Sequence, residues 1–349
     1  MSTNEKDYIL KFLKELSACS GVSGYEHGLI PIIEKKLSSY VSEVFSDKMN
    51  NVYFIKKGTE AKNTIMLAAH MDEIGLMITE VTARGFLRFV PVGGIDYRTL
   101  LYQDVIVHGK ENITGIVEFI QSSDKEKAVK VEDMYIDIGF SYGEAVKNIQ
   151  PGDVVSIKKS CVNLTGNIVT GKALDDRAGL AVIAICLREL QNIKHKHNVV
   201  CVATVQEEIG LRGAITSTYN INPDMAIAID VTHGQSLDNV NQVNTKLGKG
   251  PVIALGPNIF PEIYKSLCNC AEENRIPYQI SPVPGPTGTD ARTIQLNNFG
   301  VPTGLVSIPL RYMHTSVETV DIQDIINSGK LLAYYIASLP ANLEDVLCF

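Results

Sequence analysis

The sequence predicts an α/β protein: a mixed sheet with helices on both faces, interrupted by a small all-β insert domain. Three observations predict it. Apolar, strand-like runs alternate with segments of helical periodicity at the two ends of the chain, a texture that builds mainly parallel or mixed sheets covered by helices. Between them, residues 73–164 lose the helical periodicity and become short apolar runs parted by glycine. Several apolar runs of the outer segments close on or near His, Asp or Glu, which puts reactive side chains at element ends.

Taken in order, residues 6–18 and 26–39 show helical periodicity, and SGVSG between them supplies the Ser and Gly of a turn and a new helix start. NVYFIKKG (51–58) and TIMLAAH (64–70) read as strands, the second apolar enough to be central in a sheet. GLMITEV, GFLRFVPVGG, DVIVHG, ITGIVEFI, MYIDIGF and DVVSIKK then follow at a spacing that suits a small barrel or sandwich, with little helix. DDRAGLAVIAICLRELQNI restores a helix. VVCVATV (199–205) and MAIAID are strands, PEIYKSLCNCAEEN a helix, PYQISPV and VPTGLVSIP strands, and DIQDIINSGKLLAYYIASL a closing helix. SPVPGPTGTDA (281–291) is a loop entering a helix capped by Thr289 or Asp290. The chain therefore divides into a discontinuous α/β unit, 1–72 with 165–349, and an insert, 73–164. Both junctions fall beside candidate site residues, after Asp72 and before Asp175.

Composition excludes several classes. With 349 residues, 45% hydrophobic and 20% charged, the chain has the make-up of a globular protein with room for two domains. No apolar run reaches the ~18 residues of a membrane span. The charged N-terminus, MSTNEKDYILKFLKEL, lacks the apolar centre and cleavage site of a signal peptide, so a cytoplasmic protein without a membrane partner is expected. A net charge of −7 without a basic stripe argues against nucleic acid. The cysteines (Cys19, Cys161, Cys186, Cys201, Cys268, Cys270 and Cys348) include no CxxC, which argues for reduced thiols and against a disulfide framework or a thiolate zinc site. Cys186 and Cys201 lie in apolar runs and read as small core residues. The sequons at Asn112 and Asn163 are chance matches in a cytoplasmic protein.

The candidate site is spread over five places. Glu207-Glu208 follows VVCVATV, His70 and Asp72 lie in LAAHMDE, Asp175-Asp176 in GKALDDRAG, Asp230 in AIAIDVTHG, and His314 in IPLRYMHTSVE. Taken singly, each has a plain reading as a buried histidine, a helix N-cap or a solvated strand end. Together, imidazoles and carboxylates at element ends match the donor set of Zn²⁺ or a similar ion, and the carboxyl ends of strands in open α/β sheets converge on a crevice. An adjacent carboxylate pair can divide its labour, one ligating a metal and one moving protons. Asp72, two residues past His70, is placed to take the imidazole's other N–H. Asp175-Asp176 opens a helix, where unpaired N–H groups favour carboxylates. These residues favour a two-metal hydrolase. His195 and His197, in the polar stretch KHKHN, read as a solvated turn, and His233 is a candidate for the pocket lining.

In their order and density, SGVSGYE, AAHMDEIGLM, PVGGID, GKALDDRAG, QEEIGLRGA, AIDVTHG, GPTGTDA and PLRYMHTSVE resemble the cytoplasmic two-metal aminopeptidases that include glutamyl aminopeptidase and the tetrahedral dodecameric (TET) aminopeptidases. The resemblance runs nearly the whole length and implies a zinc-peptidase fold whose β-rich insert builds homodimers, which assemble into a hollow tetrahedral dodecamer. It also implies two divalent metal ions per chain, with Zn²⁺ and Co²⁺ both suited to the mixed N/O donors. His70, Asp175 and Asp230 would hold one ion, and Asp175, Glu208 and His314 the other. Asp175 is taken as the bridge over Asp176 because related peptidases place the bridging Asp two residues before a basic residue, here Arg177. Glu207 would be general base and acid, Asp72 would orient His70, and the substrates would be peptides with a free N-terminus. A deacylase or carboxypeptidase is the alternative within hydrolases. A non-catalytic scaffold with a structural metal would not need the extra carboxylate of Glu207, and a glycosidase would not need the histidines.

Overall fold

The computed structural model describes residues 3–121, 129–237, 239 and 243–347; Cys348 lies outside them. Strands Thr64–His70, Asn198–Thr204, Met225–His233 and Thr303–Arg311 run parallel at the centre of an eleven-stranded sheet. Val52–Lys56 pairs antiparallel with Asn198–Thr204, and Glu318–Asp321 with Thr303–Arg311, so the sheet is mixed. Side-chain alternation along Thr64–His70 shows why its run is apolar throughout. Ile65, Leu67 and Ala69 enter one core, while Met66 and Ala68 enter another on the opposite face. The first core holds helices Thr3–Ala18, Leu174–Glu189 and Ile322–Ser338; the second is covered by Arg212–Ile221 and Ala291–Ile294. Leu174–Glu189 and Ile322–Ser338 approach so closely that a Cβ on Gly329 would lie 2.5 Å from the Ile185 side chain.

Strands Gly75–Val81, Leu87–Val92, Asp104–His108, Asn112–Phe119, Met134–Asp137 and Val154–Ile157 close a barrel. It has its own core, including Leu76, Ile78, Val105, Val117 and Ile136. The chain leaves the large sheet after His70 and returns through the hairpin of Val162–Asn163 and Ile168–Gly171, which pairs with Glu318–Asp321.

Several expectations are corrected. The helix expected over 26–39 is broken into a 3-10 turn, Glu26–Gly28, a helix, Ile30–Leu37, and a second 3-10 turn, Ser38–Tyr40. Arg212–Ile221 and Tyr142–Asn148 are helices that periodicity did not reveal; the second begins with a capping box of Ser141 and Glu144. Asp290 precedes the short helix Ala291–Ile294 but does not cap it, because its carboxylate accepts a hydrogen bond from the Thr204 hydroxyl at 2.6 Å. His195 and His197 are buried and not a solvated turn: His197 Nε2 donates to the Pro340 carbonyl at 2.7 Å, and backbone carbonyls of His195 and Lys196 accept N–H groups from residues 59–61. Cys186 and Cys201 are core residues, and the six described cysteines are free. Among the described residues, no helix is long and apolar enough to cross a membrane.

Candidate metal centre

Strand register brings the site together. His70 is the Cα partner of Thr204 on the neighbouring parallel strand, so Glu207-Glu208 emerges beside it. Asp230 lies within Met225–His233, which continues three residues past it, and not at a strand end as the sequence suggested. Asp175 stands at the start of Leu174–Glu189, where its backbone is not helical (φ −81°, ψ 107°) and the helix is kinked, and His314 follows Thr303–Arg311. Left-handed backbone at Ala173, Gln206, Tyr312 and His314 turns the chain sharply beside these residues (φ 58°, 55°, 62° and 60°). His70, Asp175, Glu207, Glu208, Asp230 and His314 all line one cleft of about 440 Å³.

Asp175 faces both histidines. Its Oδ1 lies 3.1 Å from His70 Nε2, and its Oδ2 lies 3.4 Å from His314 Nε2. His314 Nε2 is also 3.3 Å from Glu208 Oε1, and Glu207 Oε2 is 4.0 Å from His70 Nε2. Each imidazole is held from behind. His70 Nδ1 lies 3.2 Å from the Asp72 carbonyl oxygen and 3.5 Å from its carboxylate, and His314 Nδ1 donates to the Gly94 carbonyl at 2.6 Å. Asp72 is fully buried behind the cleft. Its carboxylate accepts the backbone N–H groups of Glu207 and Glu208, at 3.0 and 3.2 Å, and the Ser23 hydroxyl at 2.6 Å.

The electrostatics are those of crowded carboxylates. Burial pushes the Glu207 carboxyl up to about 10, and Asp230, Asp290 and Glu208 add to that despite the opposing pull of His70. Burial likewise raises Asp176 and Asp230 well above the usual carboxylate range, and Glu208 above it. Among the described residues, no Lys or Arg lines the cleft. With each Nδ1 turned to a carbonyl, both Nε2 atoms face carboxylate oxygens, and a proton or a metal cation must sit between them. Divalent cations fit this arrangement. Two groups have ligand atoms within 4.8 Å of one another: His70, Asp175 and Glu208, and His70, Asp176 and Asp230.

Sequence reasoning missed Glu318. Its buried carboxylate accepts the N–H of Asp175 at 3.0 Å and that of His314 at 2.9 Å, tying two site residues together. It stands in the same PLRYMHTSVE segment as His314, which was the available signal. Asp176, which is not among the expected ligands, is fully buried, and its Oδ2 has no hydrogen-bond partner among the described residues. His233 does line the cleft.

The model of the M42 glutamyl aminopeptidase family matches residues 50–331. The chain is 36% identical over 331 residues to the lysyl aminopeptidase of Pyrococcus furiosus, spanning 92% of this chain and 94% of that one. Among solved structures, aminopeptidase APDkam598 from the archaeon Desulfurococcus kamchatkensis superposes with a TM-score of 0.88 at 37% identity, covering 95% of each chain. The Pyrococcus horikoshii TET1 peptidase, which can assemble into a tetrahedron or a large octahedral shell, superposes with a TM-score of 0.82 at 31% identity, covering 94% of this chain and 99% of that one.

Proposed function

The chain belongs to the M42 glutamyl aminopeptidase family, as a metal-dependent aminopeptidase, and we propose that it releases N-terminal residues from peptides at the cleft between His70 and His314. The observation that supports this most is Asp175, whose two oxygens face two histidines. In this reading two divalent ions, zinc or cobalt, bind per chain. His70, Asp175 and Asp230 hold one, and Asp175, Glu208 and His314 hold the other. When bound, the ions supply Lewis acidity to the scissile carbonyl and to the attacking water.

The chain's own residues do the rest. Glu207 takes the proton of the attacking water and returns it to the leaving amine. Its carboxylate lines the cleft and stops 4.0 Å from His70 Nε2, which leaves it free to take up that proton. Asp72 fixes Glu207 through the backbone and keeps the His70 ring in place. Glu318 does the same for Asp175 and His314. The acidic cleft attracts the α-ammonium of a substrate, which confines cleavage to the first residue.

Residues 1–72 and 165–349 form the catalytic unit in this reading, and 73–164 a dimerisation insert. The barrel exposes Tyr102, Ile116, Ile120 and Tyr142, which suits pairing of subunits. Homodimers then assemble to a tetrahedral dodecamer, a reading supported by the tetrahedron of the Pyrococcus horikoshii TET1 peptidase. The expected compartment is the cytoplasm.

Peptides with free and with acetylated N-termini, incubated with the metal-loaded protein and followed by mass spectrometry, test the activity. Stepwise loss of single residues from the free peptide alone is expected. Internal cuts, or equal turnover of the acetylated peptide, would instead point to an endopeptidase or deacylase.

A further inference from the structure

One wall of the cleft that carries no ligand comes from three neighbouring strands. Val252 and Ala254 belong to Val252–Leu255, Leu305 and Ser307 to Thr303–Arg311, and Ser281 to Gln279–Pro282, with Val283 just beyond that strand. Their register makes them one wall. Val252 is opposite Ser307, and Ala254 is beside Ser281. Residues two apart on a strand share a face, so each strand contributes its pair to the same side.

That wall is neutral throughout. Val252, Val283 and Leu305 offer apolar contact, while Ala254, Ser281 and Ser307 are small and leave depth between them. Resting on the aminopeptidase reading above, we propose that this wall receives the side chain of the substrate's first residue and selects a neutral aliphatic one, Leu or Met, over Glu or Lys. A glutamyl carboxylate would be stripped of water against the same wall, with no Lys or Arg among the described lining residues to meet it. A lysyl ammonium would be stripped of water against methyl groups and hydroxyls, because the cleft's carboxylates are committed to the metals and to the α-ammonium. Against this wall either charge loses hydration without gaining a charged partner there. An aliphatic chain has no such cost and gains burial.

The test is a panel of aminoacyl substrates (Leu, Met, Ala, Glu and Lys) with the metal-loaded wild-type protein. Leu and Met should exceed Glu and Lys in kcat/KM by on the order of 100-fold. Glu or Lys at or above Leu would overturn the assignment while leaving the aminopeptidase reading intact, and release of no residue at all would overturn both. Val283→Arg, at a half-buried position, supplies the missing cation. It should raise the Glu-to-Leu ratio of kcat/KM by roughly 10-fold or more at unchanged metal content. An unchanged ratio in a variant with wild-type circular dichroism would show that the wall does not face the substrate side chain. Ser281→Arg, on the same wall, gives the same readout if the first variant does not fold.

Discussion

The Nδ1 of His314 donates to the carbonyl oxygen of Gly94 across 2.6 Å. The two residues are 220 positions apart and belong to different parts of the molecule. Gly94 follows the barrel strand Leu87–Val92, whereas His314 lies at the end of the large sheet. This bond fixes which ring nitrogen carries the proton and aims Nε2 at Asp175 and Glu208. The barrel is therefore a brace for the site as well as a separate β unit. A methyl at Gly94 would lie 3.1 Å from His314 Nδ1 and 3.3 Å from Cε1, closer than the ring tolerates without moving. Gly94→Ala should weaken binding of one of the two proposed ions by about 10-fold, the lower end for losing a support of a ligating imidazole. Chelator competition measures this, and wild-type affinity would show that the carbonyl does not set the ring.

Glu207 and Glu208 are adjacent but differently engaged. Glu208 meets His314 at 3.3 Å, while Glu207 stops 4.0 Å from His70 and lines the cleft. Glu207→Gln keeps the shape and removes the proposed base. It should lower kcat by at least ~10²-fold, the low end for general acid–base catalysis, with metal content unchanged. Loss of both metals in this variant, or retention of most activity, would reassign the residue.

Much of this was legible because apolar runs state where strands end. TIMLAAH stops at His70 and VVCVATV one residue past the last residue of its strand, so two short strings place His70 and Glu207-Glu208 at strand ends, which the parallel register then sets side by side. Glu318 and Gly94 were harder to foresee. One acts through backbone N–H groups and the other through a backbone carbonyl, and neither leaves a pattern of side-chain types. His195 and His197 misled for a related reason. KHKHN is polar by composition, but its cover comes from Leu339–Pro340, more than 140 residues away. Helix Arg212–Ile221 is poor in strong helix formers, with Thr, Ser and Asn among its residues, and its place is set by packing of Ala214 against the second core.

The buried His195 has a consequence for acid stability. Burial holds its pKa below the ordinary 6.5, and its Nε2 has no hydrogen-bond partner among the described residues. A lowered pKa in the folded state means that folding favours the neutral ring. The contribution is fully present above the unfolded value of ~6.5 and is lost as pH falls through the folded value. Thermal unfolding followed between pH 8 and pH 5 should therefore show a steeper loss for wild type than for His195→Asn. Parallel curves for the two proteins would mean that the ring stays neutral in both states or charges without cost.

If the barrel pairs subunits, its exposed Ile116 and Ile120 are natural contact points (49% and 53% exposed). Ile116→Glu with Ile120→Glu should shift light scattering toward smaller species at micromolar concentration. A wild-type protein that is already monomeric at that concentration rules out the assembly for this chain.

The bridging assignment of Asp175 can be separated from that of Asp176, which carries the same chemistry one residue on. Asp175 lines the cleft and offers one oxygen to each histidine, at 3.1 and 3.4 Å. Asp176 is absent from the cleft lining, and its Oδ1 is engaged by the Gly179 N–H at 3.0 Å. A residue shared by two ions should cost both when removed, whereas a ligand to one ion should cost one. Asp175→Ala is therefore expected to strip more metal than either His70→Ala or His314→Ala, measured as ions per chain after dialysis against a fixed free-metal buffer. The same buffer held at lower pH should strip metal from the wild type too, because carboxylates and imidazoles must be unprotonated to bind. Equal single-ion losses in the three variants would remove Asp175 from the bridging role. A greater loss in Asp176→Ala than in Asp175→Ala would transfer that role to its neighbour.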